Sequence, residues 1–366
     1  MNIQQNRNKN LKNFFGAKVL ITGTTGFKGS WLALWLKKLG AKVYGVGLKP
    51  DNSSVLFKNL SLSKKINQEY LDITNFEKIN SCIKKIKPDI IFHLAAQSIV
   101  SEGFQNPLKT FNTNIMGSVN ILEAVRKNKV SNLVYVTSDK CYLNTANNRP
   151  FIESDKLGGD DNYSASKASA EIIFNSFYKS YFQSKTLKHA SVRAGNVIGG
   201  GDFKEDRIVP DIIRSIYLKK KLIIRNPSYV RPWQHVLDPL SGYLILGEKL
   251  LNNKLKGTIY PSWNFGPRNA NCKNVLILAN NILKLCDERK KVNFQKFTNF
   301  KESNFLSISS KKANKEIRWK PTLNFDQSVR FTIDWYKNFF KKNKNIDNYN
   351  FSLNQIEKFE NFKLKS

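Results

Sequence analysis

Apolar residues along the chain follow two alternating spacings. The run from Lys18 to Thr22 is short and apolar between its ends, as in a buried strand. From Phe27 to Leu39 the apolar residues recur every three or four positions, as on one face of a helix. A glycine-rich turn joins the two segments. Strand, turn and helix in this order predict the opening of a βαβ unit.

The alternation continues to residue 193. Further strands are predicted at Lys42 to Leu48, Asp89 to Leu94, Asn132 to Thr137 and His189 to Arg193. Helices are predicted at Phe76 to Ile86, Pro107 to Asn128 and Tyr163 to Phe182. Strands that alternate with helices form a mostly parallel sheet covered on both faces. The predicted fold class is therefore α/β, a Rossmann-like doubly wound parallel sheet with a smaller C-terminal lobe.

The domain boundaries follow from changes in composition along the 366 residues. We predict a Rossmann-like domain at residues 17–198 and a smaller lobe at 199–340, part of which returns to the first domain. The lobe begins where glycine, proline and arginine become frequent, as in loops. Residues 1–16 are polar and are predicted to form a flexible tail, and residues 341–366 a basic C-terminal tail.

The charge is high, because 60 lysines and arginines against 28 acidic residues give a net charge of +32. Such a charge raises nucleic acid or an anionic membrane as partners. Lysine is nevertheless spread along the whole chain beside asparagine and isoleucine, and no nucleic-acid-reading motif accompanies it. We therefore predict no nucleic-acid partner and an attraction for a small anionic substrate.

Membrane, export and metal signals are absent from the sequence. No apolar run reaches the roughly 18 residues of a membrane span, and the polar start MNIQQNRNKN lacks the apolar part of a signal peptide. The four cysteines form no CxxC pair, which favours reduced thiols and a cytoplasmic location. The three histidines lie far apart in sequence. We predict no membrane partner and no metal site.

The turn from Gly23 to Gly29 follows the first strand and opens the first helix. Small residues let the backbone approach a pyrophosphate, and the helix N-terminus directs free N–H groups at the negative charge. This context indicates a dinucleotide site, and the alternative is a plain tight turn in an α/β protein. The predicted contacts are Gly23, Thr25, Gly26, Phe27, Lys28 and Gly29.

The acidic residue expected at the end of the second strand, where it would bind the adenosine ribose, is missing. Gly47, Leu48 and Lys49 stand there instead. A lysine suits a 2′-phosphate, so the residues alone leave NAD and NADP open.

A catalytic set is predicted from two segments. Tyr163 and Lys167 are four residues apart on a predicted helix and share one face. The ammonium favours the phenolate, as does the positive nicotinamide of an oxidised cofactor, and both lower the tyrosine pKa towards that of a useful base. Ser138 ends a predicted strand and completes a Ser-Tyr-Lys triad, while Asp139 and Lys140 are placed to exchange protons. The alternatives are a solvated helix face for the first pair and a turn ion pair for the second.

Several segments together resemble the CDP-glucose 4,6-dehydratase family of the extended short-chain dehydrogenase/reductase superfamily. They are TGTTGFKGSWLALWLKKLGA, TSDKCY, YSASKASAE, SVRAGNVIGGGD, RIVPD, IIRNPSYVRPWQHVLDPLSGY and NFGP. The resemblance spans about residues 15 to 340. Ser-Asp-Lys is its most informative segment, because the related dTDP-glucose dehydratases look like Thr-Asp-Glu there and 4-epimerases lack the acid/base pair.

The resemblance implies NAD as cofactor, a homodimer, an NAD-binding domain at 17–198 and a substrate-binding lobe at 199–340. It implies that CDP-D-glucose becomes CDP-4-dehydro-6-deoxy-D-glucose by C4 oxidation, loss of water across C5 and C6, and hydride return to C6. Tyr163, helped by Ser138 and Lys167, would remove the C4 hydroxyl proton. Lys140 would be the base at C5, and Asp139 the acid for the departing C6 hydroxyl.

Other contacts are implied by the same resemblance. The further cofactor contacts are Asp72, Ile73, Ala95, Ala96 and Asn114, together with Tyr163 and Lys167. The substrate diphosphate is assigned to Asn196 and Arg231, with Arg207 and Arg225 behind them, since guanidinium groups suit bidentate phosphate contacts.

The chain departs from the family pattern AAQPLVRxSY at Ser101 and Phe104, which remove an arginine and a tyrosine hydroxyl beside the site. Three rival hypotheses remain. Two lie within the same superfamily: another nucleotide-sugar dehydratase, and a 4-epimerase. The third is a cofactor-bound protein whose basic surface binds nucleic acid or an acidic polymer.

Overall fold

The computed structural model describes residues 11–144, 149–258, 260–268, 271–288, 293–295, 306–341 and 347–365. The strands of this part of the chain, numbered in chain order, are β1 (Lys18–Thr22), β2 (Lys42–Gly47), β3 (Asn67–Tyr70), β4 (Ile90–His93), β5 (Leu133–Val136), β6 (His189–Arg193), β7 (Val197–Ile198), β8 (Ile223–Arg225), β9 (Val230–Pro232), β10 (Gln234–His235), β11 (Ser262–Asn264), β12 (Cys272–Asn274) and β13 (Asn293–Gln295).

The α-helices, numbered in the same way, are α1 (Phe27–Lys38), α2 (Val55–Asn59), α3 (Phe76–Ile86), α4 (Val100–Gln105), α5 (Pro107–Phe111), α6 (Gly117–Lys127), α7 (Asn162–Phe177), α8 (Ile208–Tyr217), α9 (Leu237–Leu251), α10 (Val275–Leu285), α11 (Lys311–Ile317), α12 (Phe325–Phe339) and α13 (Asn348–Lys365). Short 3-10 helices lie at Lys12–Phe14, Leu62–Lys64 and Asp139–Cys141, and π-helical turns at Asn112–Met116 and Tyr178–Phe182.

Seven parallel strands form the central sheet, in the order β11-β6-β5-β4-β1-β2-β3. Every residue of β4, β5 and β6 is buried, so helices cover the sheet on both faces. The predicted fold class is confirmed. The strand order reverses next to β1, where β4 lies on one side and β2 on the other. A ligand crevice is expected at this reversal, at the carboxyl ends of the strands.

The elements predicted from the apolar spacing are present. The bounds of the five predicted strands differ by at most one residue from those of β1, β2, β4, β5 and β6. The long helix predicted from residue 107 is interrupted by the π turn between α5 and α6. Strand β3 was missed because its sequence, Asn-Gln-Glu-Tyr, is polar and its residues are only partly buried. It forms the sheet edge beside β2.

The two tails predicted from composition are wrong wherever the structure describes them. In the first, Phe14 is fully buried and the Asn13 amide donates to Glu248, because the segment packs against α9. In the second, α13 buries Ile356 and Phe359 completely. Residues 1–10 lie outside the described part of the chain, and the predicted boundary at 198 stays a prediction.

Membrane-spanning helices and metal-binding clusters can be assessed for the described residues only. None of their helices is both long and apolar enough to cross a membrane. No group of three or more histidine, cysteine or acidic side chains is arranged there to hold a metal ion.

Candidate active site

A cavity of about 770 Å³ opens at the carboxyl ends of the strands, between the sheet and the lobe. This is the position where open parallel sheets bind their ligands. The predicted site residues that line it are Gly23, Thr25, Gly26, Phe27, Lys28, Gly29, Asp72, Ile73, Ala95, Ala96, Ser138, Asp139, Lys140, Tyr163, Lys167, Asn196, Arg207 and Arg231. Asn114 is not among the lining residues, and the side chain of Arg225, the last residue of β8, is outside the described part.

The glycine turn is packed too tightly for a side chain at Gly23 or Gly29. Gly23 has a φ of +80°, and a Cβ there would lie 2.8 Å from the Ala95 amide nitrogen. A Cβ on Gly29 would lie 2.1 Å from the Gly23 carbonyl oxygen. Gly26 caps α1 without a side-chain hydrogen bond, so the first amides of this 12-residue helix are left for a ligand. The turn fits the pyrophosphate of a dinucleotide.

The end of β2 has no acidic residue, as the sequence indicated, but the cavity contains one four residues further on. Asp51 lines the cavity; its carboxylate accepts hydrogen bonds from Ser53 and Ser54 and lies 3.9 Å from the Lys204 ammonium. These contacts hold its pKa below the usual range, although burial opposes them. In the sequence, Asp51 begins an Asp-Asn-Ser-Ser turn. This turn lies beyond the strand end, where the acidic residue is expected.

Helix α7 supplies the tyrosine and lysine of the predicted triad. Both are buried, and the Lys167 ammonium lies 6.0 Å from the centroid of the Tyr163 ring. Burial raises the pKa of Tyr163 to about 12, while a hydrogen bond with Ser138 opposes the shift. Burial, and then the charge of Lys28, lowers the pKa of Lys167 to about 8. In the protein alone, loss of solvent outweighs the favourable neighbours. The predicted lowering also depended on a positive nicotinamide ring, and it stays a prediction.

The segment after β5 presents the other three predicted catalytic residues. Ser138 caps the short helix Asp139–Cys141: its Oγ accepts from the Lys140 amide at 3.3 Å and donates to Asp139 Oδ1 at 3.1 Å. Asp139 is buried, and its Oδ2 has no hydrogen-bond partner among the described residues. Burial raises the pKa of Asp139, and the charge of Lys140 opposes this shift. A carboxyl group in this setting is suited to keep a proton and donate it.

Gly195, which follows β6, makes room for that carboxyl group. A Cβ at this position would lie 2.0 Å from Asp139 Oδ2, so only glycine allows the acid to pack here. The sequence reasoning missed this glycine, because its constraint comes from a residue 56 positions earlier in the chain.

Cations surround the aspartate. The Lys28 ammonium interacts electrostatically with Asp139 and with Arg207, and burial followed by the Arg207 charge lowers the pKa of Lys28 to about 8. Arg231 is buried and lies 5.3 Å from the Tyr229 ring. Asn196 has a buried side-chain oxygen without a partner among the described residues. This concentration of positive charge suits an anionic ligand.

The departures from the family pattern connect the two sides of the cavity. Ser101 Oγ donates to Asp206 Oδ2 at 2.6 Å. Arg207 donates to Asp202 Oδ2 and to Ser98 Oγ, each at 2.8 Å. These hydrogen bonds link Ser98 and Ser101, which follow β4, to the segment before α8. Ser101 occupies the position where the family pattern has an arginine.

Asn114 lies behind the cavity wall. Its side chain donates to Ser166 Oγ at 2.8 Å and to the Gln97 carbonyl at 3.0 Å, and accepts from the Gln97 amide at 2.8 Å. It ties the loop after β4 to α7 and thereby fixes the loop that carries Ala95 and Ala96. The predicted direct contact of Asn114 with the cofactor stays a prediction.

The sequence profile of the GDP-mannose 4,6 dehydratase family matches residues 20–332. The chain belongs to this family. A CDP-glucose 4,6-dehydratase of Salmonella typhimurium is 39% identical over 333 residues, which are 89% of this chain and 92% of that protein. The predicted family resemblance is confirmed, and the chain is an enzyme of the nucleotide-sugar 4,6-dehydratase type.

Solved structures share the fold. A UDP-glucose 4-epimerase of Thermotoga maritima, solved with UDP-glucose, has a TM-score of 0.77 at 21% identity, over 88% of this chain and 100% of that chain. A dTDP-glucose 4,6-dehydratase of Bacillus anthracis, in complex with NAD, has a TM-score of 0.75 at 24% identity, over 88% and 97% of the two chains. At these identities the likeness shows the fold alone.

Proposed function

We propose that this enzyme converts CDP-D-glucose to CDP-4-dehydro-6-deoxy-D-glucose with NAD as its cofactor. The observation that carries the proposal is the shared cavity of Ser138, Asp139 and Lys140 with Tyr163 and Lys167. A 4-epimerase needs only the oxidising set, whereas the elimination of water also needs a base and an acid. The activity of the Salmonella relative supports the choice of nucleotide sugar.

The cofactor site is assigned to the glycine turn and the residues after β3 and β4. NAD, when bound, supplies a hydride acceptor for sugar C4 and a hydride donor for C6. The first amides of α1 bind its pyrophosphate, and Asp72 and Ile73 line the cavity at the adenine end. A positive nicotinamide ring near Tyr163 counteracts the effect of burial on the tyrosine pKa. The NAD complex of the Bacillus anthracis dehydratase supports this cofactor.

The protein's own groups move the protons. Tyr163 acts as the phenolate, which the Lys167 ammonium stabilises; it accepts the proton of the C4 hydroxyl and becomes the neutral phenol, with Ser138 hydrogen-bonded to it. Lys140 removes the C5 proton that the new ketone has made acidic. Asp139, whose pKa burial raises, retains its proton and gives it to the departing C6 hydroxyl.

The substrate diphosphate is assigned to the basic wall of the lobe. Arg207 and Arg231 provide planar donors, and Asn196 lies near the same wall. The enzyme is further proposed to be a cytoplasmic homodimer. Its four free cysteine thiols agree with a reducing compartment.

The test is a product assay with CDP-, dTDP-, GDP- and UDP-glucose and NAD, in ordinary and in deuterated water. A CDP-glucose 4,6-dehydratase produces a 4-keto-6-deoxy sugar from CDP-glucose and places solvent deuterium at C5. Turnover of another sugar nucleotide in its place would disprove the base specificity. Inversion at C4 without deuterium at C5 would instead establish the 4-epimerase.

The salt dependence of binding distinguishes the polymer-binding hypothesis from the dehydratase. Binding to nucleic acid weakens steeply as ionic strength rises, because counterions are released. Retention of the protein on a polyanion at physiological salt, without turnover of any sugar nucleotide, would support that hypothesis against the dehydratase.

A further inference from the structure

The catalytic face of α7 carries a third buried group that the proposed reaction does not use. Glu171 lies four residues after Lys167 and is fully buried. Its carboxylate forms an ion pair at 2.6 Å with Arg193, which is equally buried at the end of β6. Burying two charges costs desolvation energy that their attraction often fails to repay. An ion pair retained next to a catalytic cavity therefore calls for a further role.

Residues 138–141, which carry Ser138, Asp139 and Lys140, are called the catalytic segment. The Glu171 carboxylate binds Thr137, the residue before this segment. Glu171 accepts a hydrogen bond from Thr137 Oγ1 and another, at 3.0 Å, from Ser191 Oγ. Thr137 directly precedes Ser138, and its amide donates to the Val192 carbonyl at 2.9 Å. The entry to the catalytic segment is thus attached to both α7 and β6.

The guanidinium of the pair binds the residue after the catalytic segment. Arg193 Nη1 donates to the Tyr142 hydroxyl at 2.8 Å, and that hydroxyl donates to Asn264 Oδ1 at 2.7 Å. The Tyr142 ring stacks on Phe151 with centroids 4.9 Å apart. Tyr142 directly follows Cys141, where the short catalytic helix ends.

The amides between these two anchors make only long hydrogen bonds. The Asp139 amide lies 3.4 Å from the Ala194 carbonyl, and the Cys141 amide 3.3 Å from the Ser138 carbonyl. The Lys140 amide lies 3.3 Å from Ser138 Oγ. Bonds of this length are weak, so these three amides do little to fix the segment. The backbone adds one shorter bond, in which the Gly158 amide donates to the Cys141 carbonyl at 2.9 Å. The side chains at the two ends supply the remaining anchors.

We propose that Glu171 and Arg193 are positioning residues, which hold residues 138–141 at both ends through Thr137 and Tyr142. We name this set of four the clamp. By fixing the segment, the clamp holds Asp139 and Lys140 in place for the elimination of water. This consequence rests on the proposed function, which assigns Asp139 to C6 and Lys140 to C5 of the sugar. The hydroxyl of Tyr142 secures the side nearer Lys140, and the hydroxyl of Thr137 secures the side nearer Ser138.

The test removes single hydroxyls and leaves the ion pair in place, because loss of either charge endangers folding. Tyr142→Phe keeps the ring on Phe151 but loses both hydrogen bonds. The matched control is Tyr178→Phe, which loses one partly buried hydroxyl bond of 2.8 Å, to the Thr258 carbonyl, far from the segment in sequence. Thr137→Val is the second variant.

Amide hydrogen exchange tests the clamp without reference to activity. Exchange in peptides covering residues 138–142 should be faster by about tenfold in Tyr142→Phe and in Thr137→Val than in Tyr178→Phe, with the remaining sheet unchanged. Equal exchange in the test variants and the control would overturn the clamp. Faster exchange in the variants, together with a wild-type protein that yields no 4-keto sugar, would leave the clamp standing and reject the proposed function.

Single-turnover kinetics test the consequence. In Tyr142→Phe, removal of the C4 hydride should proceed at nearly the wild-type rate while elimination slows at least about tenfold, so that reduced nicotinamide accumulates. Thr137→Val should slow the C4 step itself. A parallel loss of both steps in both variants would indicate a general structural effect and contradict positioning.

Discussion

Three groups in the cavity, Tyr163, Lys167 and Asp139, have pKa values shifted towards their neutral forms. Burial is the first cause in each case. The charges that the reaction needs must therefore come with the ligands, from a positive nicotinamide and a negative diphosphate. The sequence identified these residues from their spacing. Spacing shows neighbours but not the loss of solvent, so the burial that raises the pKa of Tyr163 in the protein alone could not be read from it.

Lys140→Met tests the elimination base. The variant should lose about a hundredfold or more in product formation, the usual contribution of a general base. It should still remove the C4 hydride, seen as reduced nicotinamide, but incorporate no solvent deuterium at C5. The control is Lys156→Met, an exposed lysine in the same region of the sequence. Deuterium incorporation at the wild-type rate would assign the C5 proton to another base.

His235→Gln tests a buried neutral histidine. His235 is fully buried, and burial lowers its pKa from 6.5 to about 3. Between these two pH values the unfolded chain binds a proton that the folded chain excludes, so stability falls as the pH drops from 6.5. At about pH 5 this loss is roughly 2 kcal/mol relative to neutral pH.

Glutamine at position 235 has no such proton, so the stability difference between wild type and variant should shift by that amount in favour of the variant on acidification. Urea unfolding at neutral pH and at about pH 5 measures both values. An identical difference at the two pH values would show that His235 titrates normally in the folded state.

Elements with a strong apolar period were predicted well, and elements defined by tertiary contacts were not. Strands β4, β5 and β6 are apolar throughout because both faces of the sheet are covered. Helix α13 has the opposite character, since lysines and asparagines surround a few buried residues. Its Glu360 accepts a hydrogen bond from Trp35 Nε1 at 2.9 Å and pairs with Lys38. These partners lie more than 300 residues away in sequence, beyond any local pattern.

Phe359→Ala tests whether α13 belongs to the core. The Phe359 ring is fully buried, with its centroid 5.7 Å from that of Trp35. Its truncation should lower the free energy of unfolding by about 3 to 5 kcal/mol, the usual cost of such a cavity. Phe362→Ala on the same helix is the control, because this ring is 41% exposed and should cost about 1 kcal/mol or less. Equal effects in urea unfolding would mean that α13 contributes little to the fold.

At the scale of the molecule, the sheet gathers residues from 23 to 231 into one cavity. The sequence predicted most of them, because they follow apolar strands whose carboxyl ends meet at one edge. It did not find Gly195 or the ion pair of Glu171 with Arg193, whose roles depend on contacts across the fold. The contact that it assigns between Asn114 and the cofactor stays a prediction; in the structure this side chain holds the loop after β4 through Gln97.

The proposed homodimer is tested at the exposed apolar residues of α5, the π turn and α7. Leu108 is 86% exposed, Met116 49% and Ile172 56%, on helical segments that pack side by side. Exposed apolar groups on neighbouring helices are typical of a protein interface. Light scattering should give about 84 kDa, twice the chain mass of 42.0 kDa.

Ile172→Glu should place a charge in that interface and shift the mass towards 42.0 kDa. Leu364→Glu is the control, because Leu364 is 79% exposed near the end of α13 and its substitution should leave the mass unchanged. A wild-type mass of one chain would reject the dimer. A dimer that persists in Ile172→Glu would place the interface on another surface, because a buried, unpaired carboxylate costs several kcal/mol.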